Sequence, residues 1–168
     1  MDRFKELTFR FSKKEDEGKI KRLIETRFGN RKSFGAYEDI ENRYYLAEEE
    51  DGTLVAVTGL IDSGVYCGPE VDWTCILEKY EHRGLITFML DRLLRDVEQD
   101  VYCSCWRWRG GEINLKSAMG SLGFEPVLLN RTKYDSRYLN CRVICKAYHP
   151  VEGYCTCAED LYVRRYGK

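Results

Sequence analysis

Residues 71–94, VDWTCILEKYEHRGLITFMLDRLL, decide how this chain folds. The stretch EVDWTCIL, from Glu70 to Leu77, alternates. Val71, Trp73 and Cys75 fall on one side and Glu70, Asp72 and Thr74 on the other, which is the period of a strand in a sheet. The second half repeats at helical spacing instead. Ile86, Met89, Leu90, Leu93 and Val97 share one face while Thr87, Asp91, Arg95 and Glu98 lie opposite, so the helix lays an apolar side on the sheet. Between the two stands Glu81-His82-Arg83-Gly84. A helix N-terminus presents unpaired amides and the positive end of the dipole. Gly84 permits close approach, and His82 and Arg83 add charge, so this junction can hold a phosphate group. It can equally do no more than start a helix, because every strand-to-helix junction contains such a turn. No GxxxxGK[ST] or GxGxxG pattern occurs, which excludes the commoner nucleotide folds.

Working outward, Leu7 to Phe11 alternates as a strand, and Glu15 to Phe28 has the spacing of a helix that Gly29 ends. Residues 31–42, RKSFGAYEDIEN, read as irregular or helical. Tyr44 to Glu48 and Leu54 to Ile61 flank Asp51-Gly52, a hairpin signal. Val101 to Trp108 is a further strand, Glu112 to Leu122 a helix closed by Gly123, and Phe124 to Leu129 extended again. From about residue 136 a tyrosine- and cysteine-rich C-terminal extension reads as one or two strands with a loop around Pro150 and Gly153. A helix between two buried strands implies one parallel crossover. The expected class is α/β (α+β), a mixed, mostly antiparallel central sheet flanked by helices, in a single domain over residues 1–168.

With 27 basic and 28 acidic residues, a net charge of -1 and no run of five basic residues, the chain lacks an electrostatic footprint for nucleic acid. No stretch approaches the ~20 apolar residues of a membrane span. The N-terminus, MDRFKELTFRFSKKEDEG, has no apolar secretion signal, and a cytoplasmic location is expected. The eight cysteines then read as reduced thiols or metal ligands rather than a disulfide framework. Cys103 and Cys105 alternate on a strand and point the same way. A hairpin bringing Cys141 and Cys145 against Cys155 and Cys157 would gather four thiolates, as a structural zinc site needs. The spacing C-x3-C-x9-C-x-C is not that of common zinc ribbons, and core packing or a redox pair explains the same residues.

Taken jointly, these features resemble the GNAT superfamily of acyl-CoA-dependent N-acyltransferases. Tyr80, Arg83, Gly84, Leu85, Thr87 and Leu90 stand where its members often have Tyr, Arg or Lys, Gly, Ile, Ser or Thr, and Leu. Residues 114–127, NLKSAMGSLGFEPV, are similar to the family's later stretch, which ends in Leu-Gly-Phe before a strand. The order of elements matches from about residue 7 to about 135. The resemblance implies acetyl-CoA as co-substrate and a primary amine of a small molecule or peptide as acceptor, and leaves a homodimer open. It implies that the backbone amides of Cys75, Ile76 and Leu77 hold the pantetheine arm and the carbonyl. Around the pyrophosphate it places His82, Arg83, Gly84, Leu85, Ile86 and Thr87, with Asn114 nearby.

The chain departs from the family pattern at four positions. Glu81 stands for Gln or Arg, Ile86 for a small residue, Met119 for the tyrosine that often serves as general acid, and Glu112 for an asparagine, with Asn114 two residues late. Deprotonating the amine calls for a carboxylate, and Glu70 and Asp72 are the candidates, a solvent-facing strand edge being the competing reading. Tyr37, Glu38, Asp39, Glu41, Tyr44 and Tyr45 would suit a cationic amine, and a solvated acidic helix explains the same charges. With its acid lost, the same fold could also serve as a coenzyme A sensor.

Overall fold

In the computed structural model, residues 4–28, 40–107, 115–132 and 158–167 are described. The elements are β1 (Thr8–Phe11), a 3-10 turn (Lys14–Asp16), α1 (Glu17–Phe28), β2 (Tyr44–Glu48), β3 (Leu54–Ile61), β4 (Glu70–Ile76), a second 3-10 turn (Glu78–Tyr80), α2 (Leu85–Leu94), β5 (Val101–Arg107), α3 (Lys116–Ser121), β6 (Glu125–Thr132) and β7 (Ala158–Arg164). The expected helix start at Glu112 lies outside the described residues, as does Asn114.

The strands form one sheet in the order β1-β2-β3-β4-β5-β7-β6. Every neighbouring pair is antiparallel except β4 and β5, which are parallel and joined through α2. The crossover is therefore where the sequence puts it. The C-terminal strand β7 lies within the sheet, between β5 and β6.

Two apolar clusters sandwich the sheet. On one face α1 buries Ile20, Leu23 and Ile24 against Tyr44, Leu46, Val57 and Cys75. On the other, α2 and α3 bury Leu85, Met89, Leu90, Leu94 and Met119 against Val55, Val71, Val101, Cys103 and Cys105. Each fully buried large aliphatic side chain contributes about 1.5–3 kcal/mol, so these faces carry most of the stabilisation. The apolar side of α2 is wider than its spacing alone predicts, because Leu85 and Leu94 join it. At the other end of α3, Gly123 takes φ 77°, the left-handed exit expected there.

The edge of the sheet is fixed by charge. Arg10 donates to both oxygens of Asp16, at 2.6 and 2.7 Å, and to both of Glu48, at 2.8 and 3.0 Å. This guanidinium ties β1 to the first 3-10 turn and to β2, and its bonds hold the Asp16 carboxyl below the usual carboxylate range.

The strict alternation expected of β4 fails at its centre. Asp72 pairs with Gly59 and Cys75 with Val57, so Trp73 and Thr74 together oppose Thr58. Trp73 takes φ 25° to accommodate the extra residue, a β-bulge. One inserted residue reverses the faces that follow. Val71 packs under α2, whereas Cys75 and Trp73 pack under α1.

Candidate functional site

The bulge lies where β4 and β5 part. Glu70 and Tyr102 are the one paired position between them among the described residues, fastened by Tyr102 N–H donating to the Pro69 carbonyl at 2.9 Å. Beyond it β4 continues to Ile76 and β5 to Arg107 without pairing again. Two parallel strands that start together and then separate leave a wedge whose walls are backbone. Cys75, Ile76 and Leu77 line the β4 side of it. The Leu77 amide is already used, donating to the Val55 carbonyl at 2.8 Å. Cys75 offers backbone only, since its side chain is 3% exposed and burial pushes its thiol up to about 12.

The β4 wall leads directly into the junction. His82 and Gly84 both adopt left-handed conformations, at φ 59° and 78°, and Gly84 caps α2. The Gly84 carbonyl accepts the Phe88 amide at 3.0 Å, so the amides of Leu85, Ile86 and Thr87 stand ahead of the first intrahelical bond. His82, Arg83 and Gly84 are exposed there. Arg83 lies over the ring of Tyr80, 5.4 Å from its centroid, and Tyr80 is itself held by its hydroxyl donating to Glu49 at 2.6 Å. That bond pushes the Tyr80 hydroxyl up to about 12. The result is an exposed turn with unpaired amides, a helix dipole and one oriented guanidinium, which together can receive an anion.

Two departures from the family pattern find physical explanations. Glu81 is ion-paired with Arg27 of α1, so its charge is neutralised beside the turn. Ile86 points into the core with 9% exposure, so its bulk lies away from the exposed side of the turn; like Leu85, it offers a ligand its amide and not its side chain. The third departure is starker. Met119 is fully buried in the α2–α3 core and takes part in packing alone.

Glu70 and Asp72 share the α1 face of β4, before the bulge. Asp72 accepts a 2.7 Å hydrogen bond from the hydroxyl of Tyr44 and lies 3.5 Å from Arg43. Burial nevertheless raises its carboxyl above the ordinary 3.8, with Tyr44 and Arg43 only partly offsetting the loss of water. Asp72 is thus no free surface carboxylate, and a raised carboxyl beside a separating strand pair binds a proton more readily than an exposed one, as a general base requires. Tyr44 and Tyr45 are core residues of β2 and face opposite sides of the sheet, so neither stands in a lid. Tyr37, Glu38 and Asp39 lie outside the described residues.

The cysteines divide. Cys103 and Cys105 point the same way into the core, their Sγ atoms 3.5 Å apart, and the Cys103 thiol is driven up by its contact with Cys105 and by burial. Cys141, Cys145, Cys155 and Cys157 lie outside the described residues. Among the described residues no group of three or more His, Cys, Asp or Glu could hold a metal ion, and no helix is long and apolar enough to cross a membrane.

No protein-family model matches the chain, and no curated protein does. Solved structures do. Arabidopsis thaliana NAA60 in complex with a bisubstrate analogue superposes with a TM-score of 0.66 at 13% identity, over 96% of this chain and 98% of that one. A GNAT-family acetyltransferase from Bacillus cereus ATCC 10987 gives 0.65 at 11% identity, over 96% and 99%. N-acetylglutamate synthase from Neisseria gonorrhoeae, complexed with coenzyme A and N-acetyl-glutamate, gives 0.60 at 14% identity over 96% of this chain and 35% of that protein, so the chain spans about a third of its length.

The chain has the GNAT fold.

In this GNAT fold the separating strand β4 and the glycine-capped helix α2 are consecutive, so one elongated ligand can lie along both. Arg27, Arg43, Tyr66 and Ser104 escape a reading of the sequence, as does the bond of Tyr44 to Asp72. Arg27 is 54 residues from Glu81, and Tyr44 is 28 from Asp72. No local signal links either pair.

Proposed function

We propose that the chain is an acyl-CoA-dependent N-acyltransferase that moves an acetyl group from acetyl-CoA to a primary amine by direct attack. The observation that carries this reading is the parting of β4 from β5 after Glu70 and Tyr102, on a strand that runs straight into the exposed turn at Arg83-Gly84. The wedge suits the pantetheine arm, and the Leu85, Ile86 and Thr87 amides suit the pyrophosphate, with Arg83 beside them. Asp72, with Glu70 two residues away, takes the proton from the ammonium directly or through water. The amine nitrogen then bonds to the thioester carbon, the carbon–sulfur bond breaks, and the thiolate leaves. A thiol of pKa near ~8.5 can depart without a dedicated acid and take its proton from solvent.

The buried Met119 favours a second reading, the same fold as a coenzyme A sensor without turnover. Titration calorimetry with acetyl-CoA, followed by thiol release against a panel of amines, separates the two. Saturable binding with turnover supports the enzyme. Binding without turnover supports the sensor, and no binding refutes both.

A further inference from the structure

The loop between β3 and β4 brings an aromatic side chain, Tyr66, to the parting of β4 and β5. On β5, Val101, Cys103 and Cys105 point into the α2–α3 core, so Tyr102 and Ser104 project from the opposite face, the face that carries Glu70 and Asp72. Tyr66 lies on this side. Its ring stacks on Tyr102, with centroids 4.7 Å apart and planes 10° from parallel, and its hydroxyl hydrogen-bonds Ser104 at 3.1 Å. The chain that follows is held against β5, since a Cβ at Gly68 would overlap the Asp100 carbonyl oxygen and the Pro69 carbonyl accepts the Tyr102 amide. Tyr102 is also the residue opposite Glu70. A half-exposed tyrosine fixed by ring and hydroxyl thus shares its neighbour Tyr102 with the Glu70 carboxylate where the two strands separate.

We propose that Tyr66 is the acceptor-positioning residue, and that the acceptor is an aryl- or alkylamine that enters as its ammonium and carries no carboxylate next to the nitrogen. The inference rests on the acyltransferase reading. The face of Tyr66 turned away from Tyr102 attracts a cation and packs the hydrocarbon attached to it. Glu70 and Asp72 add negative charge on the same face, and Arg43, a cation near them among the described residues, already faces Asp72. A carboxylate on the acceptor would therefore meet like charge, which disfavours α-amino acids.

The test compares phenethylamine, n-pentylamine and phenylalanine as acceptors by thiol release from acetyl-CoA, in the wild-type chain and in Tyr66→Ala, Tyr66→Leu and Tyr66→Phe. The amines should turn over and phenylalanine should not. Tyr66→Ala and Tyr66→Leu should raise the amine KM roughly tenfold with the acetyl-CoA Kd unchanged, while Tyr66→Phe, which keeps the ring, should stay near wild type. Site-resolved alkylation of the exposed Cys67, next in sequence, should be slowed by phenethylamine in the presence of coenzyme A. The proposal fails if both ring-deleting variants keep the wild-type KM, if phenylalanine serves as well as phenethylamine, or if acetyl-CoA binds and no amine turns over. It also fails if both variants lose acetyl-CoA binding, which would make the role structural. Failure of the wild-type chain to bind acetyl-CoA would instead remove the acyltransferase reading.

Discussion

Tyr44, with no exposed surface, donates its hydroxyl proton to Asp72 across a 2.7 Å hydrogen bond and so stabilises the ionised carboxylate in a site where burial disfavours it. Opposing effects therefore set one proton affinity, burial on one side and Tyr44 with Arg43 on the other. Removing the hydroxyl in Tyr44→Phe takes away the largest of the effects that oppose burial, leaving Arg43, so the acidic limb of kcat/KM against pH should move to higher pH. Asp72→Asn should lower turnover by about 10²–10⁴, the usual worth of a positioned base. Because the folded carboxyl holds its proton to higher pH than the unfolded one, its contribution to stability is present below the unfolded pKa and is lost as pH rises through the folded one. A carboxyl NMR titration of Asp72 that shows no upward shift in Tyr44→Phe would contradict this account.

Gly84 caps α2 at φ 78°, where a side chain costs roughly 1–2 kcal/mol. Gly84→Glu should fold, melt a few degrees lower, and lose acetyl-CoA affinity by roughly a hundredfold or more, since its carboxylate would compete for the same amides. Calorimetry on the folded variant checks this, and unchanged affinity would count against the proposed diphosphate site.

The Arg27–Glu81 ion pair suggests why an acidic residue is tolerated beside an anion site. Arg27→Ala should expose the Glu81 charge and weaken acetyl-CoA binding about three- to tenfold at low salt, and less at high salt. Adding Glu81→Gln should restore affinity. A double-mutant cycle with no coupling would show that the pair is structural only.

At the edge of the sheet, Asp16 is 2% exposed and doubly bonded to Arg10. Its carboxyl is held below the ordinary 3.8, so its stabilisation is present above that pH and is lost as pH falls through the folded value. Asp16→Asn should cost about 1–3 kcal/mol at pH 7 and flatten the acidic decline of stability. Denaturant unfolding at pH 3 and pH 7 measures both effects.

The residues legible without a structure are those whose behaviour is local. The amphipathic spacing of α2, the turn at Gly84, the hairpin at Asp51-Gly52 and the exit at Gly123 each depend on a few consecutive dihedrals and on one stripe of apolar side chains, and each is found where the pattern puts it. The β4 alternation was legible only as far as Asp72. The bulge at Trp73 answers to the register of β3, and from the strand's own residues Cys75 is assigned to the wrong face.

By itself, then, the sequence determined the order of strands and helices, the single parallel crossover and the glycine turn that follows β4, because backbone hydrogen bonding and side-chain period act over a few residues. Only the tertiary structure decided that Glu81 is neutralised by Arg27, that the half-buried Asp72 is bonded to Tyr44, that Met119 packs in the core, and that Tyr66 stacks on Tyr102, the residue opposite Glu70. These depend on which distant groups share a desolvated space. Strand register and the packing of the two sheet faces fix that space, and no stretch of neighbouring residues encodes it.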